Sequence, residues 1–331
     1  MLRIGLLGCG RIGQVHARSI RALDNAQVVA VSDAMPQAAQ ALAADTGAEV
    51  RETDAILTAG DVDAVVIGTP TDTHFDLIQS AARAGKAIFC EKPIDMSVAN
   101  IRACIKVVAE TGAPFMTGFN RRFDPNFAAL RARLRAGDIG ALELVTITSR
   151  DPAPPPISYI ERSGGLFRDM MIHDFDMARF LMAEEFTTLH AVGSALVDPE
   201  IRAAGDVDTA AVILTTASGR ICQISNSRRA AYGYDQRIEV HGAEGMLRAE
   251  NQLETTVEIA TDAGFRRDPA QHFFLERYEV AFRAEMRAFL AAVTGSNTPD
   301  PGIHDGLMAQ ILADAAALSR ETGRPVDLPS D

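Results

Sequence analysis

Leu2-Arg-Ile-Gly-Leu-Leu7 runs directly into Gly8-Cys9-Gly10-Arg11-Ile12-Gly13, and Val28-Val-Ala-Val-Ser-Asp33 follows one helix later. The first run is a short buried strand. Gln14 to Leu23 then places Val15, Ile20 and Leu23 on one helical face. A glycine triplet alone is weak evidence, because glycine-rich turns are common. Here it ends a strand, opens a helix, and is answered by an acid at the end of the next strand. Gly8 permits the tight turn, Gly10 lets a pyrophosphate approach the backbone, and Gly13 lets the helix pack on the strand. The helix N-terminus offers free amides and a positive dipole to the phosphates. With Arg11 and Ile12 these residues form a dinucleotide-binding loop, and Asp33 is placed to accept the adenosine ribose hydroxyls. After Asp33 no Lys or Arg appears until Arg51, so a 2′-phosphate would meet a carboxylate without a nearby cation. NAD is therefore expected over NADP.

Working outward, strands and helices alternate. Ala64 to Gly68 is a continuous apolar run, as a strand covered on both faces requires. It leads into Thr69-Pro70-Thr71-Asp72-Thr73-His74, a loop at a strand's carboxyl end, where ligands collect in such sheets. Phe75 to Ala84 reads as a helix, Ala87 to Cys90 as a strand ended by Glu91-Lys92-Pro93, Ile101 to Glu110 as a helix, and Pro114 to Thr117 as a strand. The pattern predicts an α/β fold: a Rossmann-type doubly wound parallel sheet of about five or six strands, spanning 1–118.

The whole chain has 331 residues, enough for two domains, and its 47% hydrophobic and 23% charged content is globular. A net charge of −12 argues against nucleic acid as a partner. No apolar run is long enough for a membrane span, and no basic leader precedes a cleavage site. Cys9, Cys90, Cys104 and Cys222 are scattered without a CxxC pair, which points to reduced thiols. A soluble, cytoplasmic protein is expected.

Residues 119–331 have a different texture. Asn126 to Ala136 is a helix entered through Pro125. Leu142 to Thr148 alternates and breaks at Ser149-Arg150-Asp151-Pro152, before further prolines at 154–156. Strand-like runs cover Leu189–Val197, Thr209–Thr216, Gly219–Ser225, Gln236–His241, Gly245–Ala249 and Thr255–Ile259, joined by short turns. Helices Phe274–Val293 and His304–Arg320 close the chain. An α+β domain with an open, mostly antiparallel sheet follows, and its uncovered face predicts self-association. Within it, Gly164 to Asp176 reads as a buried helix carrying Asp169 and His173 one turn apart. By itself that pair allows a proton relay, half a metal site, or an amphipathic helix with solvated charges.

The set Gly8-x-Gly10-x-x-Gly13, Gly68-Thr69-Pro70 with His74, and Glu91-Lys92-Pro93 resembles the Gfo/Idh/MocA oxidoreductase family. Ser163 to Met177, Gly118 to Asp124 and Arg150-Asp151-Pro152 look like its inositol dehydrogenase branch. The resemblance spans essentially the whole chain and departs at Ser149-Arg150-Asp151, where some members carry a His and an Asn in place of the Ser and Asp. It implies NAD-dependent oxidation of a secondary hydroxyl of myo-inositol to a keto-inositol, in a homodimer or homotetramer. It implies that Lys92 sits beside the nicotinamide, among cofactor-binding Gly8, Gly10, Arg11, Ile12, Gly13, Asp33, Thr69, Pro70, His74 and Glu91. His173 is then the base accepting the hydroxyl proton, Asp169 its partner, and Lys92 a donor to the same oxygen. Asn120, Asp151 and Tyr234 are candidates for binding ring hydroxyls, and Asp176 reads as structural. No metal is expected, since the relay needs no Lewis acid. A scyllo-inositol or pyranose dehydrogenase of the same family stays open, as does a non-catalytic NAD sensor. The expected site spans a cleft between the two domains.

Overall fold

The computed structural model describes residues 1–295 and 298–329. The chain forms two compact units, Met1–Phe123 with Glu279–Gln310, and Asp124–Tyr278 with Ile311–Asp331. The boundary expected at Gly118 left everything after it in one domain. Helix Glu279–Val293 departs from that division, because Met286, Phe289 and Leu290 are buried in the core of the first unit. An amphipathic helix carries the need for an apolar partner in its sequence, but not the address of that partner.

The first unit contains strands β1 (Leu2–Leu7), β2 (Ala26–Ser32), β3 (Glu49–Val50), β4 (Ala64–Ile67), β5 (Ala87–Glu91) and β6 (Phe115–Gly118). They form one six-stranded parallel sheet in the order β3-β2-β1-β4-β5-β6. Leu6, Val66, Phe89 and Met116 pack into a single core with Ile20 of helix Arg11–Arg21. The two-residue edge strand β3 and helices Pro36–Thr46 and Thr53–Thr58 are additions to the expected pattern. The chain leaves β1 toward β2 and β3, then returns to place β4 on the other side of β1. That reversal opens a crevice at the carboxyl ends of β1 and β4, which begin the Gly8 and Gly68 turns.

The second unit carries β7 (Leu142–Arg150), β8 (Phe186–Ser194), β9 (Thr209–Thr216), β10 (Ile221–Ser227), β11 (Asp235–Gly242), β12 (Gly245–Ala249), β13 (Glu258–Thr261), β14 (Gly264–Arg267) and β15 (Val326–Asp327). Seven of them form a sheet ordered β12-β11-β7-β10-β9-β8-β15. Only β7 and β10 run parallel; the other neighbours are antiparallel. The strand expected at Thr255–Ile259 lies elsewhere: β13 starts at Glu258 and pairs with β14 as a separate, fully exposed hairpin. The helix expected at Phe274–Val293 is two, Phe274–Arg277 and Glu279–Val293. On the sheet's inner face Val145, Ile147, Val212, Leu214, Ile224 and Val240 are buried. Helix Ile172–Met182 lies against β7 and buries Phe175, Ala178 and Leu181. Its Asp174 accepts a hydrogen bond from Asn226 Nδ2 of β10 at 2.9 Å, so a buried carboxylate pins the helix to the sheet.

Candidate active site

In the first unit the turn after β1 is built as its glycines predict. Gly8 has φ +97°, and a Cβ there would lie 2.5 Å from Gly68 O. A Cβ on Gly13 would lie 2.0 Å from Gly8 O, so only glycine lets the helix start this close to the turn. Gly10 is the opposite case: nothing of the protein comes within 4 Å of a Cβ built there. It is also the N-cap of helix Arg11–Arg21 and supplies no side-chain cap. Asp33 stands close by. Its Oδ2 accepts Cys9 N–H at 2.6 Å and its Oδ1 accepts Met35 N–H at 2.7 Å, which fixes the carboxylate and leaves lone pairs for further donors. Arg51 is committed elsewhere, bonded to Asp61 at 2.7 Å and Glu49 at 2.9 Å. Those partners push its pKa up. Cys9 is buried beside this turn, and burial with the Asp33 charge pushes its thiol up to about 11.

The loop after β4 and the turn after β5 are tied together by one residue. His74 is buried, with Nδ1 2.9 Å from Pro93 O and Nε2 2.9 Å from Thr69 O. A neutral ring donates to only one of these carbonyls at a time, and burial holds the His74 pKa below its ordinary value. Thr69 and Pro70 shape the same loop, with Thr73 Oγ1 donating to Pro70 O at 2.8 Å. Glu91 faces inward: His16 Nε2 lies 2.7 Å from its Oε1, and Lys92 N–H donates to its Oε2 at 3.2 Å. Lys92 itself is half-buried, at a cis Lys92–Pro93 peptide. His74 and Glu91 thus sit beneath the loop and hold it in shape, a position their sequence motifs do not specify. His16 was missed. It shares the buried face of its helix with Val15, Ile20 and Ala17, and nothing in that pattern names Glu91, 75 residues on, as its partner.

In the second unit the expected single helix over Gly164–Asp176 is broken. Gly164 and Gly165 both take left-handed φ, near +80°, and separate helix Ile157–Ser163 from the next. Helix Gly165–Asp169 is followed by Ile172–Met182, and Met170 and Met171 both donate to Leu166 O, at 3.0 and 2.9 Å. Asp169 therefore closes one helix and His173 opens another, both half-buried. Asp169 accepts Tyr159 O–H at 2.9 Å and faces Arg228 at 3.6 Å. Asp174 and Asp176 are fully buried, and Asp174 is held by Asn226 as described.

The parallel pair β7–β10 delivers two ends to one edge of the sheet. Asp151 N–H, just past β7, donates to Ser227 O at the end of β10, next to Arg228. β11 begins there too, with Asp235 opposite Arg150 and buried Tyr234 just before it, its ring 6.1 Å from that of Tyr278. The structure thus gathers Asp151 and Tyr234 at one edge, with Arg228 leading to Asp169. Asn120 belongs to the first unit, buried in a short helical turn. Tyr159, Asp206 and Arg228 were missed by sequence reasoning, since their partners are distant in the chain and no periodicity marks them. Among the described residues, no three His, Cys, Asp or Glu side chains are grouped to hold a metal.

Residues 2–119 match the family described as "Oxidoreductase family, NAD-binding Rossmann fold", and 127–248 match the "GFO/IDH/MocA C-terminal domain". The chain belongs to the Gfo/Idh/MocA oxidoreductase family. It is 56% identical over 327 residues to the inositol 2-dehydrogenase of Rhizobium meliloti, covering 99% of each chain. It is 44% identical to the myo-inositol 2-dehydrogenase of Thermotoga maritima, covering 99% of this chain and 98% of that one. Among solved structures, a scyllo-inositol dehydrogenase from Lactobacillus casei with NAD(H) and scyllo-inositol bound superimposes with TM-score 0.93 at 30% identity over the full length of both chains.

As a Gfo/Idh/MocA member the protein is an NAD-dependent oxidoreductase, and its own residues fit that cofactor. The open space at Gly10, the helix start after it and the fixed Asp33 carboxylate match what a dinucleotide requires. Among the described residues no helix is long and apolar enough to cross a membrane.

Proposed function

We propose that this enzyme oxidises a secondary hydroxyl of myo-inositol to give 2-keto-myo-inositol. The observation that carries the reading is the 56% identity, over 99% of both chains, to an inositol 2-dehydrogenase. Bound NAD supplies the hydride acceptor. The chain's own groups handle the proton. Neutral His173 accepts the hydroxyl proton, as an imidazole does near neutral pH. Asp169 stabilises the resulting imidazolium and holds the ring. Lys92 donates to the same oxygen and stabilises developing alkoxide. Asn120, Asp151 and Tyr234 bind other ring hydroxyls, while Asp33, Gly10, Arg11, Ile12, Thr69 and Pro70 hold the cofactor. The fixed Asp33 and the engaged Arg51 support NAD over NADP. A scyllo-inositol substrate is the second reading, favoured by 36% identity to the Bacillus subtilis scyllo-inositol 2-dehydrogenase over 99% of this chain.

The protein is proposed to act in the cytoplasm as a homodimer or homotetramer. Val192, Ile213, Ile221 and Met246 point away from the buried face of the seven-stranded sheet and are 41–56% exposed, which supports a second copy as their cover. The test of activity is a panel of inositols and aldoses with NAD⁺ and NADP⁺, followed by NADH absorbance. Myo-inositol with NAD⁺ should give the highest kcat/KM. His173→Ala and Lys92→Ala should each lower kcat at least about a hundredfold while NAD still binds. Near-normal turnover in His173→Ala would remove it as the base, and preference for another substrate would replace the substrate assignment.

A further inference from the structure

Arg228 follows β10 and is 1% exposed, the largest of the fully buried side chains. Its backbone N–H is anchored on Asp208 O at 2.8 Å. Its Nη2 lies 3.6 Å from Asp169 Oδ2 and 3.9 Å from Asp206 Oδ2. Those distances exceed a direct hydrogen bond, and neither Nε nor Nη2 makes one to the described protein. A guanidinium this deeply buried is held by its two carboxylates, and they by it.

The two acids are held by different groups. Both Asp206 oxygens lie 3.1 Å from Leu166 N–H at the start of helix Gly165–Asp169, and a Cβ on Gly165 would meet Asp206 at 2.6 Å. Asp206 is therefore locked to main chain. Asp169 closes the same five-residue helix, accepts the Tyr159 hydroxyl at 2.9 Å and faces Arg228. Without Arg228 the two carboxylates would face each other with no cation between them, and Asp169 would turn away from its place.

We propose that Arg228, assisted by Tyr159, is a positioning residue that keeps the Asp169 carboxylate aimed at the polyol site. This rests on the assignment of Asp169 to that site. As a positioning residue Arg228 acts through Asp169.

A double-mutant cycle on the full-length enzyme tests this, with Arg228→Met, Asp169→Asn and the double variant assayed with myo-inositol and NAD⁺. Arg228→Met should lower kcat about tenfold or more with the KM for NAD unchanged, and Arg228→Lys should recover part of the loss. In the Asp169→Asn background the same change should cost less than about twofold, because the group it positions is gone. A purely structural role would cost the full factor in both backgrounds, and that outcome overturns the proposal. If Arg228→Met does not fold, Tyr159→Phe carries the test, since Tyr159 is exposed at 46%. It should lower kcat about threefold in wild type and leave Asp169→Asn unchanged; no effect in wild type overturns the proposal equally. His173→Ala measured alongside separates the two levels. An active His173→Ala strikes the functional reading, whereas an inactive one with additive Arg228→Met strikes only this inference.

Discussion

His74 shows how a motif residue can act through what it supports. Its two ring nitrogens face carbonyl oxygens of two loops, Thr69 and Pro93, and no solvent reaches it. Burial is the largest cause of its lowered pKa; the two carbonyls and the nearby charges of Glu91 and Asp95 oppose it without cancelling it. The unfolded chain therefore binds a proton at a higher pH than the folded one. Stability from the neutral ring is complete above about 6.5, the unfolded value, and is lost as pH falls through the folded value. Urea unfolding at pH 7.5 and 5.0 should show wild type losing stability over this window, at about 1.4 kcal/mol per unit of depression. His74→Asn should start lower and lose less across the same window. An identical loss in both proteins would show that His74 is not the group responsible. At this scale legibility follows locality. Asp33 was readable because it ends the strand after the glycine turn, and it contacts Cys9 in that turn. Arg228 and His16 were not, because an arginine or histidine letter says nothing about a carboxylate folded against it from a distant segment.

Among the elements, those read best were the ones with one strong local cause. β1, its turn and the following helix were legible because close packing leaves glycine no substitute. The glycines separate into two kinds, and substitution should separate them again. At Gly13 an alanine Cβ would strike backbone at 2.0 Å, so Gly13→Ala should lose several kcal/mol of stability. At Gly10 the backbone has φ −69° and the space is open, so Gly10→Ala should fold normally yet weaken NAD at least about tenfold, by occupying the cradle. Thermal melts with and without NAD read both effects. A stable, NAD-binding Gly13→Ala, or a Gly10→Ala with unchanged NAD affinity, would contradict this division. The helix over Gly164–Asp176 was legible in composition but not in continuity. Its apolar letters continue through Met170 and Met171, and only the hydrogen bonds show both residues turning back to one carbonyl. The bounds of β13 and the existence of β14 were not legible for the opposite reason: every residue of the hairpin is exposed, so no burial pattern marks its register.

For the whole molecule, composition and alternation gave the two fold types but not the route of the chain, which returns to the first unit through Glu279–Gln310. They did give the imbalance of the second sheet. Its inner face is filled by helix Ile172–Met182 and the buried strand residues, while its outer face presents three rows set by the strand register. One row runs Thr188, Thr215, Ile221, Leu144, His241 and Met246, the next His190, Ile213, Gln223, Thr146, Glu239 and Arg248. The third runs Val192, Ala211, Ser225, Thr148 and Arg237. Apolar residues gather toward β8 to β10 and charges of both signs toward β11 and β12. A copy placed antiparallel on this face can therefore match its own apolar part while its charges remain at the rim, as an isologous contact requires. Ile213 lies in the middle row, 50% exposed, between His190 and Gln223. Ile213→Lys would set a charge at the centre of that contact, where an unpaired buried ammonium costs several kcal/mol. Sedimentation velocity should show wild type as a dimer or tetramer and Ile213→Lys shifted to a smaller species. Because the substitution points away from the buried face, the variant should keep its melting cooperativity. An unchanged sedimentation coefficient would move the interface off this sheet.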